Sequence, residues 1–433
     1  MLNVMRSLLS LLACLTLGAT GIGARQVFGL PRLYDVRDFG AKGDGTTLDT
    51  VAIQRALDAC GRTGGTVRLA DGVFKTGTIW LRDDTELFIE KGATLLGSDN
   101  LDDYNTPDAF AQNYNDSQEG WSAGHLILAV EVKNVSIAGG GTIDGNARAY
   151  FDDKAAYIGK VGWRRGGILA RDSKNCRRPG QEIEFVECEH VSVRDVTLKD
   201  MCCWSCFFYG TDHVRVGNVT VRNNLRYLNT DAFDIDSCRD VKIGDCDIVT
   251  GDDAFAVRSS PAHLKDKGRT CADVEISNSV CQVSACAVRV GVGTGAVCRV
   301  SVRKLKVNEA GRALLVQSSY SADSRGVDIS EVSFSDIEVR NAGTVVSVTG
   351  GTEGAKAKIE DISFENVRGE ALFPPSVTGA GETRPTRIVF RDCDFTVMTP
   401  GVSGFTVDKA DVVNFYDTHV QNAHSRRKER TSR

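Results

Sequence analysis

Residues 229–237, Asn-Thr-Asp-Ala-Phe-Asp-Ile-Asp-Ser, align without a gap with residues 251–259, Gly-Asp-Asp-Ala-Phe-Ala-Val-Arg-Ser. The displacement of 22 residues is the length of one short coil in a repeating chain. Both segments place apolar residues at alternate positions, which is the period of a β-strand. Matching positions of stacked parallel coils lie about 4.8 Å apart. The two segments therefore predict stacked coils that bring Asp231 next to Asp253.

The same unit, a short β-branched strand, recurs through most of the chain. From Val191 onward, successive strands begin 23, 27, 33, 26, 32, 30, 26 and 25 residues apart. Asn, Asp and Gly recur between the strands, where a coil must turn. One such unit cannot bury its own apolar face, so the coils must stack. The pattern predicts an all-β, single-stranded parallel β-helix rather than a propeller or a doubly wound α/β sheet.

Residues 25–422 are predicted to form this one β-helix domain, because no linker divides them. Residues 50–61 predict its one clear helix, with apolar Val51, Ile53 and Leu57 and a Gly at the end. We expect this helix to cap the N-terminal coil, since an exposed sheet edge invites aggregation.

The two termini carry different signals. Residues 1–24 combine one early positive charge, an apolar run and small residues, which predicts a signal peptide and an exported, secreted or periplasmic protein. Cys14 offers a lipidation site as the alternative. Residues 423–433 predict a basic disordered tail. No later segment is apolar enough to span a membrane, and we expect a monomer.

Charge and cysteine content exclude several other classes. The formal net charge is −5, and nothing resembles a nucleic-acid-binding footprint. The fourteen cysteines show no zinc-type spacing, and no cofactor is expected. Export would permit disulfides, but we favour cysteines that are small buried side chains stacked inside the coils. We likewise expect Trp204 to pack in the core rather than to form an exposed stacking platform.

The aligned coils bring three carboxylates together. Stacking Asp231 on Asp253 is unfavourable without a functional reason, and Asp252 projects from the neighbouring position. An inverting glycosidase needs an acid and a water-binding base roughly 6.5–9.5 Å apart. We assign Asp252 as the acid, and Asp231 with Asp253 as the groups that hold the water. An Asp-rich turn or a calcium site, as in a polysaccharide lyase, remains the alternative reading of these residues.

The chain resembles glycoside hydrolase family 28, the polygalacturonases, over nearly all of its predicted mature length. Residues 229–231, Asn-Thr-Asp, and 251–253, Gly-Asp-Asp, are similar to that family's most specific motifs. Residues 34–45 and 141–145 are similar to its N-terminal segments. The resemblance implies a right-handed parallel β-helix, the same roles for the three aspartates, no metal, and a pectic polysaccharide substrate. Asn229 becomes a substrate-binding candidate.

Two departures from the family motifs affect the substrate-binding candidates. Residues 285–287, Ala-Cys-Ala, stand where the family has Gly-His-Gly. Residues 315–317, Leu-Val-Gln, stand where the family has Arg-Ile-Lys. In the family, the Arg-Ile-Lys motif holds a carboxylate of the substrate. Gln317 is the polar residue left there. We hypothesise that Arg289 and Arg258, in the same columns on earlier coils, point into the cleft and hold that carboxylate instead. Arg258 should also pair with Asp236, its neighbour in the preceding coil.

The sequence thus predicts a polygalacturonase-like inverting glycoside hydrolase that cleaves α-glycosidic bonds in a uronic-acid-containing polysaccharide, such as polygalacturonan or rhamnogalacturonan. Two alternatives stay open. A polysaccharide lyase of the same fold would use calcium and a basic residue. A non-catalytic carbohydrate-binding β-helix would explain why the histidine and the Arg-Ile-Lys residues are missing.

Overall fold

The computed structural model describes residues 32–106, 122–151, 177–320 and 325–424. The predicted signal peptide, with Cys14, and residues 425–433 of the predicted tail lie outside the described residues. Within these ranges, no helix is long and apolar enough to cross a membrane.

Strands of successive coils pair in parallel and build three sheets along a solenoid. The first sheet contains Leu33–Asp35, Gly65–Leu69, Thr85–Ile89, Lys133–Ala138, Glu189–Arg194, Asp212–Gly217, Arg239–Gly244, Thr386–Arg391 and Val413–Tyr416. The second contains Asp44–Leu48, Val73–Thr76, Thr94–Gly97, Thr142–Asp144, Thr197–Lys199, Thr220–Arg222, Asp247–Thr250, Asp394–Val397 and His419–Asn422. The third contains Ile79–Trp80, Ile127–Val130, Ile183–Val186, Cys206–Tyr209, Phe233–Asp236, Phe255–Ser259, Cys286–Gly293, Ser376–Thr378 and Thr406–Asp408.

Four long strands bend from one sheet into the next. They are Cys271–Val283, Ala296–Gln317, Asp328–Thr349 and Ile359–Phe373. Ala296–Gln317 and Asp328–Thr349 pair with each other along nearly their whole length, and so pass through all three sheets. The stacked coils predicted from the repeat are therefore present.

The inside of the solenoid is filled by columns of apolar side chains. Phe334, Phe364, Phe390 and Phe415 stack in sequence, with ring centroids 5.0, 4.8 and 5.4 Å apart; the first three are buried, and Phe415 at the end of the column is exposed. Cysteines fill other inward positions. Twelve of them are described as free thiols, and all of these but Cys298 are buried. The expectation that cysteines pack as small side chains inside the coils is therefore confirmed for the eight that belong to the main apolar core.

The one α-helix of the described residues, Thr50–Gly61, matches the predicted cap. Ile53, Leu57 and Cys60 are fully buried against the first coils, whereas Val51 is exposed. Four short 3-10 helices complete the helical content of these ranges: Val36–Phe39, Leu101–Asp103, Ala147–Ala149 and Pro261–His263.

Candidate active site

Asp231 lies in the turn that leads into the third-sheet strand Phe233–Asp236. The hydroxyl of Thr230 donates to the carbonyl of Tyr227 at 3.1 Å and accepts from the backbone N–H of Gly251 at 3.1 Å. A Cβ atom on Gly251 would lie only 2.0 Å from the Tyr227 carbonyl oxygen. Glycine is therefore required there, and these contacts hold the turns of the two aligned coils against each other.

The three predicted aspartates meet at these turns. Phe233 pairs in register with Phe255, which confirms the displacement of 22 residues. One carboxylate oxygen each of Asp231, Asp252 and Asp253 lies within 4.8 Å of the others. Between nearest oxygens the trio is tighter than the expected spacing of roughly 6.5–9.5 Å between acid and base. One water bonded to two of these oxygens still fits, because two hydrogen bonds of about 2.8 Å span up to about 5.6 Å.

The three carboxyl groups differ in burial. Asp231 and Asp253 are buried, and Asp252 is half-buried at the cleft. Burial, followed by the charges of Asp252, Asp234 and Asp253, raises the pKa of Asp231 well above its usual range. Asp231 therefore binds a proton more readily than an exposed aspartate does.

Asp253 has a dedicated cationic partner. Nε of Arg289 lies 2.5 Å from one oxygen of Asp253, and the backbone N–H of Cys286 donates to the other at 2.7 Å. The two side chains are only 16% and 3% exposed. Burial lowers the pKa of Arg289, but the charge and hydrogen bond of Asp253, together with Cys286 and Asp252, outweigh burial and raise that pKa overall. Arg289 faces the cleft as predicted, but its guanidinium is engaged with Asp253.

Arg258 is the second arginine of the cleft. Its Nη1 is 3.2 Å from Oδ1 of the fully buried Asp234, and its guanidinium carbon lies 4.5 Å from the ring centroid of Trp204. The predicted ion pair with Asp236 is wrong. Asp236 is the in-register neighbour of Arg258, but its carboxylate accepts from the backbone N–H of Ser260 at 2.6 Å.

Burial also perturbs the carboxyl group beneath Arg258. It raises the pKa of Asp234 to about 8, although the charge of Arg258 acts in the opposite direction. Asp234 was not singled out in the sequence. The sequence feature that could have identified Asp234 is the alternation within residues 229–237, which places Asp234 on the same outward face as Asp236.

Asn229 connects the trio to a buried arginine. Its backbone N–H donates to Oδ2 of Asp252 at 3.0 Å, and its side-chain oxygen accepts from Nη2 of Arg178 at 3.2 Å. Arg178 is fully buried and also donates from Nε to the carbonyl of Cys202 at 2.8 Å. Asn229 therefore positions the predicted acid, and Arg178 positions Asn229.

The trio opens into a cleft with a cavity volume of about 170 Å³. Gln317, a predicted substrate-binding residue, is not among the described residues that line it; its side-chain amide donates to the carbonyl of Ser319 at 2.9 Å. The expectation that Trp204 belongs to the core is correct only in part. The half-buried ring packs edge-on against Phe207, with ring centroids 5.1 Å apart, and it also forms part of the cleft wall. The lining residues are Trp204, Asn229, Asp231, Asp252, Asp253, Arg258, Arg289, Val292 and Tyr320.

Comparison with known protein families identifies one whose model matches the part of the chain that contains this cleft. The model for glycosyl hydrolases family 28 matches residues 91–392, which include all three aspartates. The chain belongs to glycosyl hydrolases family 28. The predicted family is confirmed, and with it the glycosidase class.

Individual relatives agree with the family. The chain is 30% identical to an exo-poly-alpha-D-galacturonosidase of Dickeya chrysanthemi over 62% of its own length and 48% of that protein's. It is 25% identical to an endo-polygalacturonase of Pectobacterium parmentieri over 82% and 86% of the two chains. The chain thus spans only about half of the first relative and most of the second.

Solved structures show the same fold. The family 28 exopolygalacturonase of Yersinia enterocolitica superposes with a TM-score of 0.69 at 19% identity, covering 91% of this chain and 78% of that one. The exopolygalacturonase of Thermotoga maritima gives a TM-score of 0.66 at 18% identity, with 90% and 92% coverage. The predicted right-handed parallel β-helix is confirmed.

The family's missing histidine falls beside Asp253. In its place, Cys286 presents a buried thiol, while its backbone N–H binds Asp253. The neighbouring Arg289 pairs in register with Leu315, so the predicted column is correct. Leu315 is buried and apolar. In this member of family 28, Arg289 thus lies one coil nearer to the aspartates than Leu315 does.

Proposed function

We propose that this chain is an inverting glycoside hydrolase that cleaves α-glycosidic bonds in a pectin-type polysaccharide containing uronic acid. The observation that carries the proposal is the convergence of three carboxyl groups on one open cleft. Membership of family 28 and the galacturonan-cleaving relatives support the substrate class.

In the proposed reaction, Asp252 gives its proton to the glycosidic oxygen as the bond from that oxygen to the anomeric carbon breaks. A water held by Asp231 and Asp253 attacks the anomeric carbon from the other side and loses a proton to this pair. The half-exposed position of Asp252 suits the acid, because the leaving sugar must reach it. The buried position of the other two suits groups that hold a water.

The two water-holding groups differ in the proposed mechanism. Arg289 compensates the negative charge of Asp253, so Asp253 is available as the carboxylate that takes the proton. The raised pKa of Asp231 favours its protonated form, so we assign Asp231 to orient the water rather than to take the proton from it. Asn229 and Arg258 border the trio, and we propose them as contacts to substrate hydroxyl or carboxylate groups.

The described cleft favours a hydrolase over a lyase. A lyase needs a basic side chain to abstract a proton and commonly a calcium ion among its carboxylates. Here Arg289 already provides a positive charge at Asp253. Arg258 contacts the buried Asp234 through Nη1 at 3.2 Å, and no lysine is among the described residues that line the cleft. Buried, closely spaced carboxyl groups such as those of Asp231 and Asp253 are typical of catalytic sites, which favours an enzyme over a purely binding protein.

The test compares wild type with Asp252→Asn on a panel of pectic polysaccharides. We expect wild type to release reducing ends without ultraviolet-absorbing unsaturated products, and the variant to lose at least a hundredfold in rate. Asp273→Asn, at an exposed ion pair with Arg299, is the matched control and should keep full activity. Undiminished release by Asp252→Asn would remove the assigned acid, and unsaturated products would indicate a lyase.

Anomeric NMR of the first product tests the stereochemistry. An inverting enzyme that acts on an α-linkage releases the β-anomer first. An α-anomer formed first would refute inversion, and would fit a role for one of the closely spaced aspartates as nucleophile.

We further propose that the chain is exported, secreted or periplasmic, and acts as a monomer. The support is the charged, apolar and small-residue pattern of residues 1–24. Mass spectrometry of protein from the culture medium and periplasm should find a mature N-terminus near residue 25. A lipid on Cys14 would contradict this assignment.

A further inference from the structure

The column of residues that contains Asp253 continues through the coils that follow it. Phe255 pairs in register with Val288, so Cys286 occupies the position of Asp253 one coil further on. Cys286 pairs in turn with Arg312 on the next coil. Each coil adds about 4.8 Å, and the backbone of Arg312 therefore lies about 10 Å from that of Asp253 along the solenoid axis.

Contacts on the intervening coil show that this column faces the cleft. Nη2 of Arg289, a residue of the cleft lining, lies 3.7 Å from the sulfur of Cys286. Burial and the charge of Asp253 raise the pKa of the Cys286 thiol, whereas the charges of Arg289 and Arg312 act in the opposite direction. Arg312 is therefore within electrostatic reach of a thiol that contacts the cleft wall.

The backbone at Arg312 is fixed on the coil that contains Cys286. The backbone N–H of Arg312 donates to the carbonyl of Ala285 at 2.9 Å. A Cβ atom on Gly311 would lie 2.9 Å from the carbonyl oxygens of both Ser284 and Ala285, so glycine allows the two coils to pack this closely. The side chain of Arg312 therefore leaves the solenoid from a well-defined point.

The guanidinium of Arg312 is exposed and open to a ligand. Among the described residues it has neither an ion pair nor a side-chain hydrogen bond, whereas Arg289 contacts Asp253 and Arg258 contacts Asp234. A guanidinium presents a planar set of donors that matches the two oxygens of a carboxylate. Arg312 can therefore bind an external carboxylate without giving up a contact inside the protein.

The cleft runs along the solenoid axis as far as the coil of Arg312. Trp204 lines it on the coil before Asp231, and Tyr320 lines it just after the strand Ala296–Gln317, which contains Arg312. A glycan that follows the cleft thus passes from coil to coil, and one sugar unit is about as long as one coil spacing. A chain whose cut bond lies at the aspartates brings a sugar about two units away to Arg312.

We propose that Arg312 binds the carboxylate of a uronate about two sugar units from the cut bond, on the side of the C-terminal coils. The proposal rests on the proposed function and adds a specificity-determining residue to it. Arg312 lies on the coil where residues 315–317 lack the family's Arg-Ile-Lys, so this coil still supplies a cation, at a different column.

The experiment measures equilibrium binding by calorimetry in the slow variant Asp252→Asn, so that the ligand stays intact. The ligands are hexagalacturonate and its neutral methyl ester. Adding Arg312→Gln should raise the Kd for hexagalacturonate roughly three- to tenfold and change the Kd for the ester less than about twofold. Arg312→Lys, which keeps the charge, should recover part of the loss. Added salt should weaken hexagalacturonate binding less in Arg312→Gln than in its parent, because one screened charge pair is gone.

Arg55→Gln is the matched control, because Arg55 is an exposed arginine of the cap helix outside the cleft lining. It should keep the Kd of the parent, and circular dichroism shows that each variant is folded. An unchanged Kd for hexagalacturonate in folded Arg312→Gln, or an equal loss for the ester, would overturn the proposal and leave the proposed hydrolase intact. Binding that depends on Arg312 in a wild-type protein that releases no reducing ends would support the site and refute the hydrolase. Absence of hexagalacturonate binding by the parent would refute both.

Discussion

The buried carboxyl group of Asp234 should make the fold less stable as the pH rises. Its pKa is about 8 in the folded chain and about 3.9 in an unfolded one. Between these values the folded protein binds more protons than the unfolded chain does. The free energy of unfolding therefore decreases with increasing pH across this window. The substitution Asp234→Asn removes the titrating group and should remove its share of that decrease.

The size of the effect follows from proton linkage. One proton corresponds to about 1.36 kcal/mol per pH unit, or about 2.7 kcal/mol between pH 5 and pH 7. Neighbouring carboxyl groups share protons with Asp234, which reduces its own part. We therefore expect wild type to lose about 1–3 kcal/mol more than Asp234→Asn over this interval. The loss of the Arg258 contact shifts the variant by an amount that is nearly the same at each pH, so the slopes remain comparable.

The assay is equilibrium urea unfolding, followed by tryptophan fluorescence at pH 5, 6 and 7. Asp361→Asn is the control, because the hydrogen bond from Arg387 lowers the pKa of Asp361 and its titration falls below pH 5. This control should keep the wild-type slope. If Asp234→Asn and wild type lose the same free energy between pH 5 and pH 7, Asp234 does not hold the extra proton and the reasoning is refuted.

Three further predictions concern the site and the core. Arg289→Ala should lower kcat at least tenfold and shift the acidic limb of the pH–rate profile. It should also lower the free energy of unfolding by about 3–5 kcal/mol, because Asp253 stays buried without its cation. Partial rescue by Arg289→Lys would support the charge role of Arg289, and an unchanged pH–rate profile would contradict it. Phe364→Ala, between Phe334 and Phe390, should cost about 3–5 kcal/mol in urea unfolding without changing kcat of the folded fraction. EDTA should leave the initial rate unchanged, whereas a calcium-reversible loss would favour the lyase.

The repeating parts of the structure could be predicted from the sequence. Period-2 alternation and the displacement between residues 229–237 and 251–259 fix which residues share a column, and Asp231 and Asp253 lie where that alignment places them. The cap helix was equally predictable, because its apolar face and terminal glycine are local signals. Columns and faces follow from local rules that every coil repeats.

The contacts between long side chains could not be predicted in this way. A register assigns Asp236 as the neighbour of Arg258, but a guanidinium also reaches the diagonal position, and Asp234 lies there with no other cation among the described residues to balance it. Trp204 precedes its strand, so alternation could not orient it. Residues 291–293, Gly-Val-Gly, form a β-bulge opposite Arg258. The two glycines indicate an irregularity in the sequence, but the direction in which Val292 points depends on packing against the coils on either side.

The burial of the free thiols has a practical consequence. They are distributed from Cys60 near the cap to Cys393 near the last coils, and no disulfide ties any of the described ones. A buried thiol reacts with an alkylating reagent only when its own coil opens, so each labelling rate measures a local opening equilibrium. Mass spectrometry of labelled peptides would turn these cysteines into a native series of probes along the solenoid axis, and would show whether the coils separate from one end or all together.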